Sequence, residues 1–296
     1  MNKFISFFSK VFYWITLLSL ILFFTLLLGI EFFDRYISTE AGTRWLYKKT
    51  PYYKTLQIKR TSSGLRYLSL GESHKEPLLL VHGAPGMVMD WTAFASRERI
   101  YEKYRLLIVD RPGYGGTKPR GAEKSIKIQA EKILEVLEEE GTATVMGHSY
   151  GGPVVVAMAA LKPELIKKVI GVAGQFDPDR EITFKISYFI RFGIFKYLLP
   201  RMFWVSNVEK LSHPDALRDL IPLYKNLECP VVLIHGNADG LVPYENSIFL
   251  MNQIQTDKEL ITLQGYEHPL QMQEPDYLVD FALGKVKTLP PKRRSK

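Results

Sequence analysis

An α/β fold is predicted for most of this chain: a mostly parallel central sheet with helices on both faces and an inserted helical cap, preceded by one N-terminal transmembrane helix. Three observations predict it. From residue 53 onward, short apolar runs alternate with stretches of helical period. That alternation is interrupted once, between residues 172 and 231. A run of 20 residues without a charge, 11–30, stands at the amino end.

The first element is that run, VFYWITLLSLILFFTLLLGI, bounded by Lys10 and Glu31. At about 1.5 Å per residue such a helix spans the roughly 30 Å hydrocarbon core of a bilayer. A cleaved signal peptide has a shorter apolar stretch and small residues before the cut, whereas Leu27-Leu28-Gly29-Ile30 offers no such site. A core helix of this length is rarely apolar on every face. Residues 1–30 are therefore read as an uncleaved signal anchor. Lys3 and Lys10 favour a cytoplasmic N-terminus, opposed by Arg35, Arg44, Lys48 and Lys49 beyond the run. The signal-like start places the body outside the cytoplasm as a single-pass membrane protein.

A linker is expected over 31–52. Residues 56–59 and 65–68 alternate apolar and polar around Thr61-Ser62-Ser63-Gly64, as in a hairpin. Continuous apolar runs follow at 78–81, 106–109, 144–146, 169–172, 231–234 and 260–263. Such runs suit strands buried on both faces of a parallel sheet. Between them, Ile126, Ala130, Ile133, Leu134 and Leu137 line one face of a helix. The domain expected is a core of 53–175 and 227–288 with a cap at 176–226 and a basic tail at 289–296. The cap is rich in aromatics, among them Phe184, Tyr188, Phe189, Phe192, Phe195, Tyr197, Phe203 and Trp204. Projected at 100° per residue, Lys185 and Lys196 share a side while Arg191 and Arg201 point elsewhere. Unsegregated charge argues for an ordinary aromatic cap core rather than an interfacial helix.

Charge narrows the partners. The chain has 39 Lys and Arg against 31 Asp and Glu, a net of +8. Lys3 and Lys10 supply two of the excess charges, and Lys285, Lys287, Lys292, Arg293, Arg294 and Lys296 supply six. Residues 11–280 are neutral overall, so no basic stripe and no nucleic-acid partner is expected. The simplest account of the C-terminal bases is a solvated tail. The single cysteine, Cys229, rules out a disulfide framework or a multi-cysteine metal site.

The strongest motif is Gly147-His148-Ser149-Tyr150-Gly151, G-x-S-x-G directly between a strand run and a helix-forming run. A nucleophilic serine on a sharp strand-to-helix turn presents its hydroxyl outward, and side chains at the flanking glycines would collide. The N–H of Tyr150, one residue past the nucleophile, is one expected oxyanion donor. Three further motifs accompany it: His82-Gly83-Ala84-Pro85-Gly86, Asp110-Arg111-Pro112-Gly113-Tyr114-Gly115 and His235-Gly236-Asn237-Ala238-Asp239-Gly240-Leu241-Val242-Pro243.

With these four motifs the chain resembles the α/β-hydrolase fold family over residues 54–284, with Thr117 where a serine is usual. The resemblance implies a Ser-Asp-His order. His268, alone after the last strand run, is then the general base. Asp239 is the acid that accepts its N–H, and Asp177 is the runner-up. Glu267 is expected to point away from the base, and His82, His148 and His235 to be structural, while His74 lies in a turn and His213 in the cap. The second oxyanion donor is the N–H of Ala84, since Pro85 has none. Relatives that open epoxides carry Asp at the nucleophile position, so Ser149 implies acyl transfer. The expected activity is hydrolysis of a carboxylic ester, lipid-like or hydrophobic, without metal or cofactor. Its expected partners are a small-molecule acyl substrate and the bilayer, with no obligatory protein partner. Amide cleavage of the proline-aminopeptidase kind and a catalytically idle membrane-tethered binding protein are the alternatives.

Overall fold

The computed structural model describes residues 2–292. Its sheet has eight strands, β1 (Gln57–Arg60), β2 (Arg66–Leu70), β3 (Glu76–Val81), β4 (Tyr104–Val109), β5 (Ala143–His148), β6 (Ile166–Val172), β7 (Val231–Gly236) and β8 (Lys258–Leu263), in the spatial order β1-β2-β4-β3-β5-β6-β7-β8. β1 and β2 form the expected hairpin, with Gln57 opposite Ser69 and Arg60 opposite Arg66. β2 is antiparallel to β4, and every pairing beyond it is parallel.

The helices are α1 (Asn2–Ile37), α2 (Glu40–Tyr47), α3 (Thr92–Ala95), α4 (Ile126–Glu140), α5 (Gly151–Leu161), α6 (Lys185–Ile190), α7 (Phe195–Leu198), α8 (Arg201–Leu220), α9 (Glu245–Gln253), α10 (Leu270–Gln273) and α11 (Pro275–Ala282). The pleat of β3 explains why its sequence is uniformly apolar. Leu79 and Val81 enter one core with Ile133 and Leu137 of α4 and Val155 of α5. Leu78 and Leu80 enter the other with Trp91, Phe94 of α3 and Leu278 of α11. A strand covered on both faces has no position left for a polar residue. Ser125 caps α4 by accepting the Ile128 N–H, and Gly141, at φ 90°, ends it.

Within residues 10–37 of α1, an 18-residue window reaches a mean hydropathy of 2.4 and none of it is buried. The helix is long and apolar enough to cross a membrane. The expected linker is instead folded. α1 continues to Ile37, and α2 folds back against it around Gly42, where a Cβ would lie 2.0 Å from Tyr36 O. Tyr47 is fully buried and donates to Val88 O at 2.6 Å, while Arg66 reaches Ser38 O at 2.7 Å and Thr43 Oγ1 at 2.9 Å. Single buried groups hold this segment, and single groups leave no periodic signal.

The cap also departs from expectation. Its first part is two short helices, broken near Gly193 and stopped before Pro200. A continuous 100° projection therefore does not describe it. Its aromatics are not a core: Phe184, Tyr188, Phe189 and Phe192 are each more than half exposed, and Tyr197 is 80% exposed. Only α8 buries a substantial face, through Val205, Ala216, Leu217 and Leu220. At the carboxyl end Leu289 packs on the core and Lys292 N–H donates to Gln264 O, so this part of the tail is docked. Lys285 and Lys287 pair with Glu102 and Glu259. Residues 293–296 lie outside the described residues.

Candidate active site

Four loops at the carboxyl ends of β3, β5, β7 and β8 converge, as binding loops do in open α/β sheets. Ser149 follows β5 and holds a positive φ of 53°, which a non-glycine residue adopts at a cost of about 1–3 kcal/mol. The turn is pinned by Ser149 N–H to Val172 O at 2.9 Å and Gly152 N–H to Ser149 O at 2.9 Å. The flanking glycines are sterically demanded. A Cβ on Gly147 would sit 2.1 Å from Gly151 O, and one on Gly151 would sit 2.5 Å from Val81 O.

Three side chains form a hydrogen-bonded relay. Asp239, three residues past β7, lies 2.7 Å from His268 Nδ1, and His268 Nε2 lies 3.0 Å from Ser149 Oγ. A carboxylate only accepts, so Nδ1 carries the proton and Nε2 is left to accept from the serine hydroxyl. Asp239 is fully wrapped. Its Oδ1 accepts the Leu241 and Val242 N–H groups at 2.9 and 2.8 Å, and its Oδ2 also faces His235 Nε2 at 3.2 Å. Burial by itself would raise its pKa, but the hydrogen bonds from His235, His268 and Val242 outweigh it and hold the carboxyl below the ordinary carboxylate range.

The other sequence candidates fall as follows. Asp177 uses Oδ1 on the Asp179 amide and has no bond to His268. Glu267 is exposed. His148 stands behind the base, its Nε2–H donating to His268 O at 3.1 Å. Burial, followed by the neighbouring His268, lowers its pKa to about 3, so it is neutral. His82 is likewise buried and lowered to about 3, and it accepts the Arg111 N–H on Nε2. The amides of Ala84 and Tyr150 donate to no group among the described residues. Both residues line one cavity with Ser149 and His268. Tyr150 is the N-cap of α5, so the positive end of that helix faces the same space.

That cavity, about 460 Å³, is walled by Ile182, Phe184, Ile190, Leu199 and Phe203 of the cap and by Leu241 and Val242. Among the described residues no group of three or more His, Cys, Asp or Glu side chains is placed to hold a metal ion.

A buried network behind the site has no counterpart in the sequence reading. Arg111, fully buried, donates to His82 O at 3.0 Å, Gly83 O at 2.8 Å, Gln129 Oε1 at 2.7 Å and Glu209 Oε1 at 2.7 Å. Its guanidinium also lies 4.4 Å from the centre of the Tyr150 ring, whose other neighbour is the His213 ring at 4.5 Å. Glu209 comes from α8, 98 residues downstream of Arg111. Arg111 stood in a quoted motif, but no local signal links it to a glutamate in the middle of a cap helix.

An eight-stranded sheet with this order, a serine on a strained turn after β5 and a histidine after the last strand define a class that the comparisons then identify. Residues 76–198 match the α/β hydrolase fold family. The chain is 30% identical over 280 residues to epoxide hydrolase 4 of Mus musculus, covering 74% of this chain and 76% of that protein. It is 34% identical over 133 residues to lipase 3 of Moraxella sp. (strain TA144), covering 39% of this chain and 41% of the lipase. Among solved structures, a putative lipase from Acinetobacter baumannii superposes with a TM-score of 0.64 at 20% identity, covering 82% of this chain and 94% of that one. A membrane phospholipase A superposes with a TM-score of 0.59 at 17% identity, covering 96% and 98%. The chain belongs to the α/β-hydrolase family.

Proposed function

We propose that this protein is a membrane-anchored serine hydrolase that cleaves a hydrophobic carboxylic ester through an acyl-enzyme on Ser149. The observation that carries the reading is the Ser149–His268–Asp239 relay opening into an apolar cavity. His268 Nε2 takes the Ser149 proton as Oγ attacks the ester carbonyl. The imidazolium so formed is stabilised by Asp239. Negative charge gathers on the carbonyl oxygen, opposite the free N–H groups of Ala84 and Tyr150. Collapse expels the alcohol, which takes the proton from His268. Water, deprotonated by the same nitrogen, then hydrolyses the acyl-enzyme.

The epoxide hydrolase relatives do not transfer their named activity in this reading. An epoxide opened by a carboxylate gives an ester that water can hydrolyse. Opened by a serine alkoxide, it gives an ether that water cannot. The lipase names and the long match to a membrane phospholipase fit the ester reading, as does an N-terminal helix able to span a bilayer.

A fluorophosphonate probe tests the site. The wild-type protein is expected to label, and Ser149→Ala and His268→Ala are not. Labelling that persists in Ser149→Ala overturns the assignment. Assays in detergent on short and long acyl esters, thioesters and proline-N-terminal amides then set the bond type, and faster turnover of the amides overturns the ester preference.

A further inference from the structure

We propose that the exposed aromatic face of the cap, formed by Phe189, Phe192, Ile194 and Tyr197, is a bilayer-binding surface that seats the mouth of the catalytic cavity on the lipid interface. The proposal rests on reading α1 as a membrane helix and deepens the proposed function by naming the bilayer as the source of substrate.

The first observation is exposure. Phe189, Phe192, Ile194 and Tyr197 are 57%, 54%, 60% and 80% exposed, and the Phe189 ring packs on Phe192 and Phe195 into one contiguous patch. Soluble proteins rarely leave so many large apolar side chains together in water.

The second observation is level. Arg201, which opens α8, accepts no freedom relative to α1: its N–H donates to Glu31 Oε2 at 2.8 Å and its guanidinium to Asp34 Oδ2 at 3.1 Å. Glu31 is the first residue beyond the uncharged run 11–30. Tyr197 and Lys196 line a cavity of about 490 Å³ together with Leu28, which belongs to that run. A patch that shares a groove with a bilayer-spanning residue stands at the depth where the helix leaves the hydrocarbon.

The third observation is composition. Residues 182–208 contain Lys185, Arg191, Lys196 and Arg201 and no acid. Arg191 lies over the Phe192 ring and Lys196 over the Tyr197 ring. Aromatic rings favour the headgroup level, and each base near an anionic surface adds attraction. Arg201 is taken up by Asp34, so the bases left to meet headgroups are Lys185, Arg191 and Lys196, and two helices this short need not segregate them.

The fourth observation is continuity with the site. Phe184, Ile190 and Leu199 alternate with the patch residues in sequence and wall the catalytic cavity. An acyl chain leaving the bilayer under this face reaches Ser149 along apolar side chains.

The test uses the full-length protein in nanodiscs of zwitterionic lipid, with and without an anionic lipid. Environment-sensitive fluorophores are attached to Phe192→Cys or Tyr197→Cys, with Cys229→Ala as background, and to Ser73→Cys in the exposed connection before β3, at the end of the strands away from the cap. Spin-labelled lipid is expected to quench the probes at 192 and 197 and to spare the probe at 73. Equal quenching at all three positions, or burial of position 192 against a second copy of the chain, overturns the proposal. In the same nanodiscs, the triple variant Phe189→Ser, Phe192→Ser, Tyr197→Ser is expected to hydrolyse a bilayer-embedded long-chain ester about tenfold more slowly or worse. Its rate on a water-soluble short-chain ester is expected to be unchanged. Equal loss on both substrates overturns the proposal. If the wild type hydrolyses neither ester, the proposed function fails while the quenching data still decide the surface.

Discussion

At Asp239 both carboxylate oxygens are occupied, one by two backbone amides and the other by two imidazoles. The lowered pKa that results has a kinetic consequence. A depressed acid stays ionised as pH falls, and its contribution to the folded state is present above its unfolded pKa and lost only as pH drops through its folded value. Asp239 is therefore expected to add no proton of its own to the acid limb of kcat/KM, which falls with a slope of one. A slope of two, measured on a soluble ester, would show Asp239 protonating in the same range. Asp239→Asn is expected to lower kcat by about 10⁴-fold, because the wrong tautomer of His268 then faces Ser149. Ser149 was legible because its glycines are local and their reason is steric. His268 and Asp239 were legible only through their place after particular strands. His148 and His235 were read as structural, yet each touches the relay directly, one at the base's carbonyl and one at the acid.

Among the elements, α8 carries the most that sequence patterns do not disclose. Glu209 is fully buried in it and neutralises Arg111, which in turn holds the carbonyls of His82 and Gly83 and stacks on Tyr150. One ion pair thus holds both the residue before Ala84 and the ring of Tyr150. Removing one partner of a buried pair strands the other charge, at a cost of about 3–5 kcal/mol. Glu209→Ala is expected to lose stability of that order in denaturant melts, and Glu209→Gln, which still accepts a hydrogen bond, to lose less. The helices and strands around this pair were readable from their period, because each is apolar for several residues in a row. The pairing itself depends on two single residues in distant elements. The cap's first part failed for a different reason: Gly193 and Pro200 break it into helices too short for any periodicity to apply.

For the whole molecule, the order of apolar runs was enough to specify a sheet covered on both faces, and the neutral body followed from counting charges. Bases flank the apolar run of α1 on both sides, so their count sets no orientation for that helix in a membrane. With the body outside the cytoplasm in a bacterial host, an alkaline phosphatase fused after residue 296 is expected to be active and a fluorescent protein that folds only in the cytoplasm to stay dark. The reverse pattern reverses the topology.

The folded state of residues 31–52 changes how such an enzyme meets its substrate. A flexible chain of that length would let the domain roam about 25 Å from its anchor. Here Ile37, Thr43 and Tyr47 are buried and Arg201 is bonded to Glu31 and Asp34, so the tether has no slack. With α1 in a bilayer, the search for substrate becomes lateral diffusion in two dimensions. Turnover then follows the mole fraction of ester within the membrane, and diluting the same vesicles in more buffer leaves it unchanged.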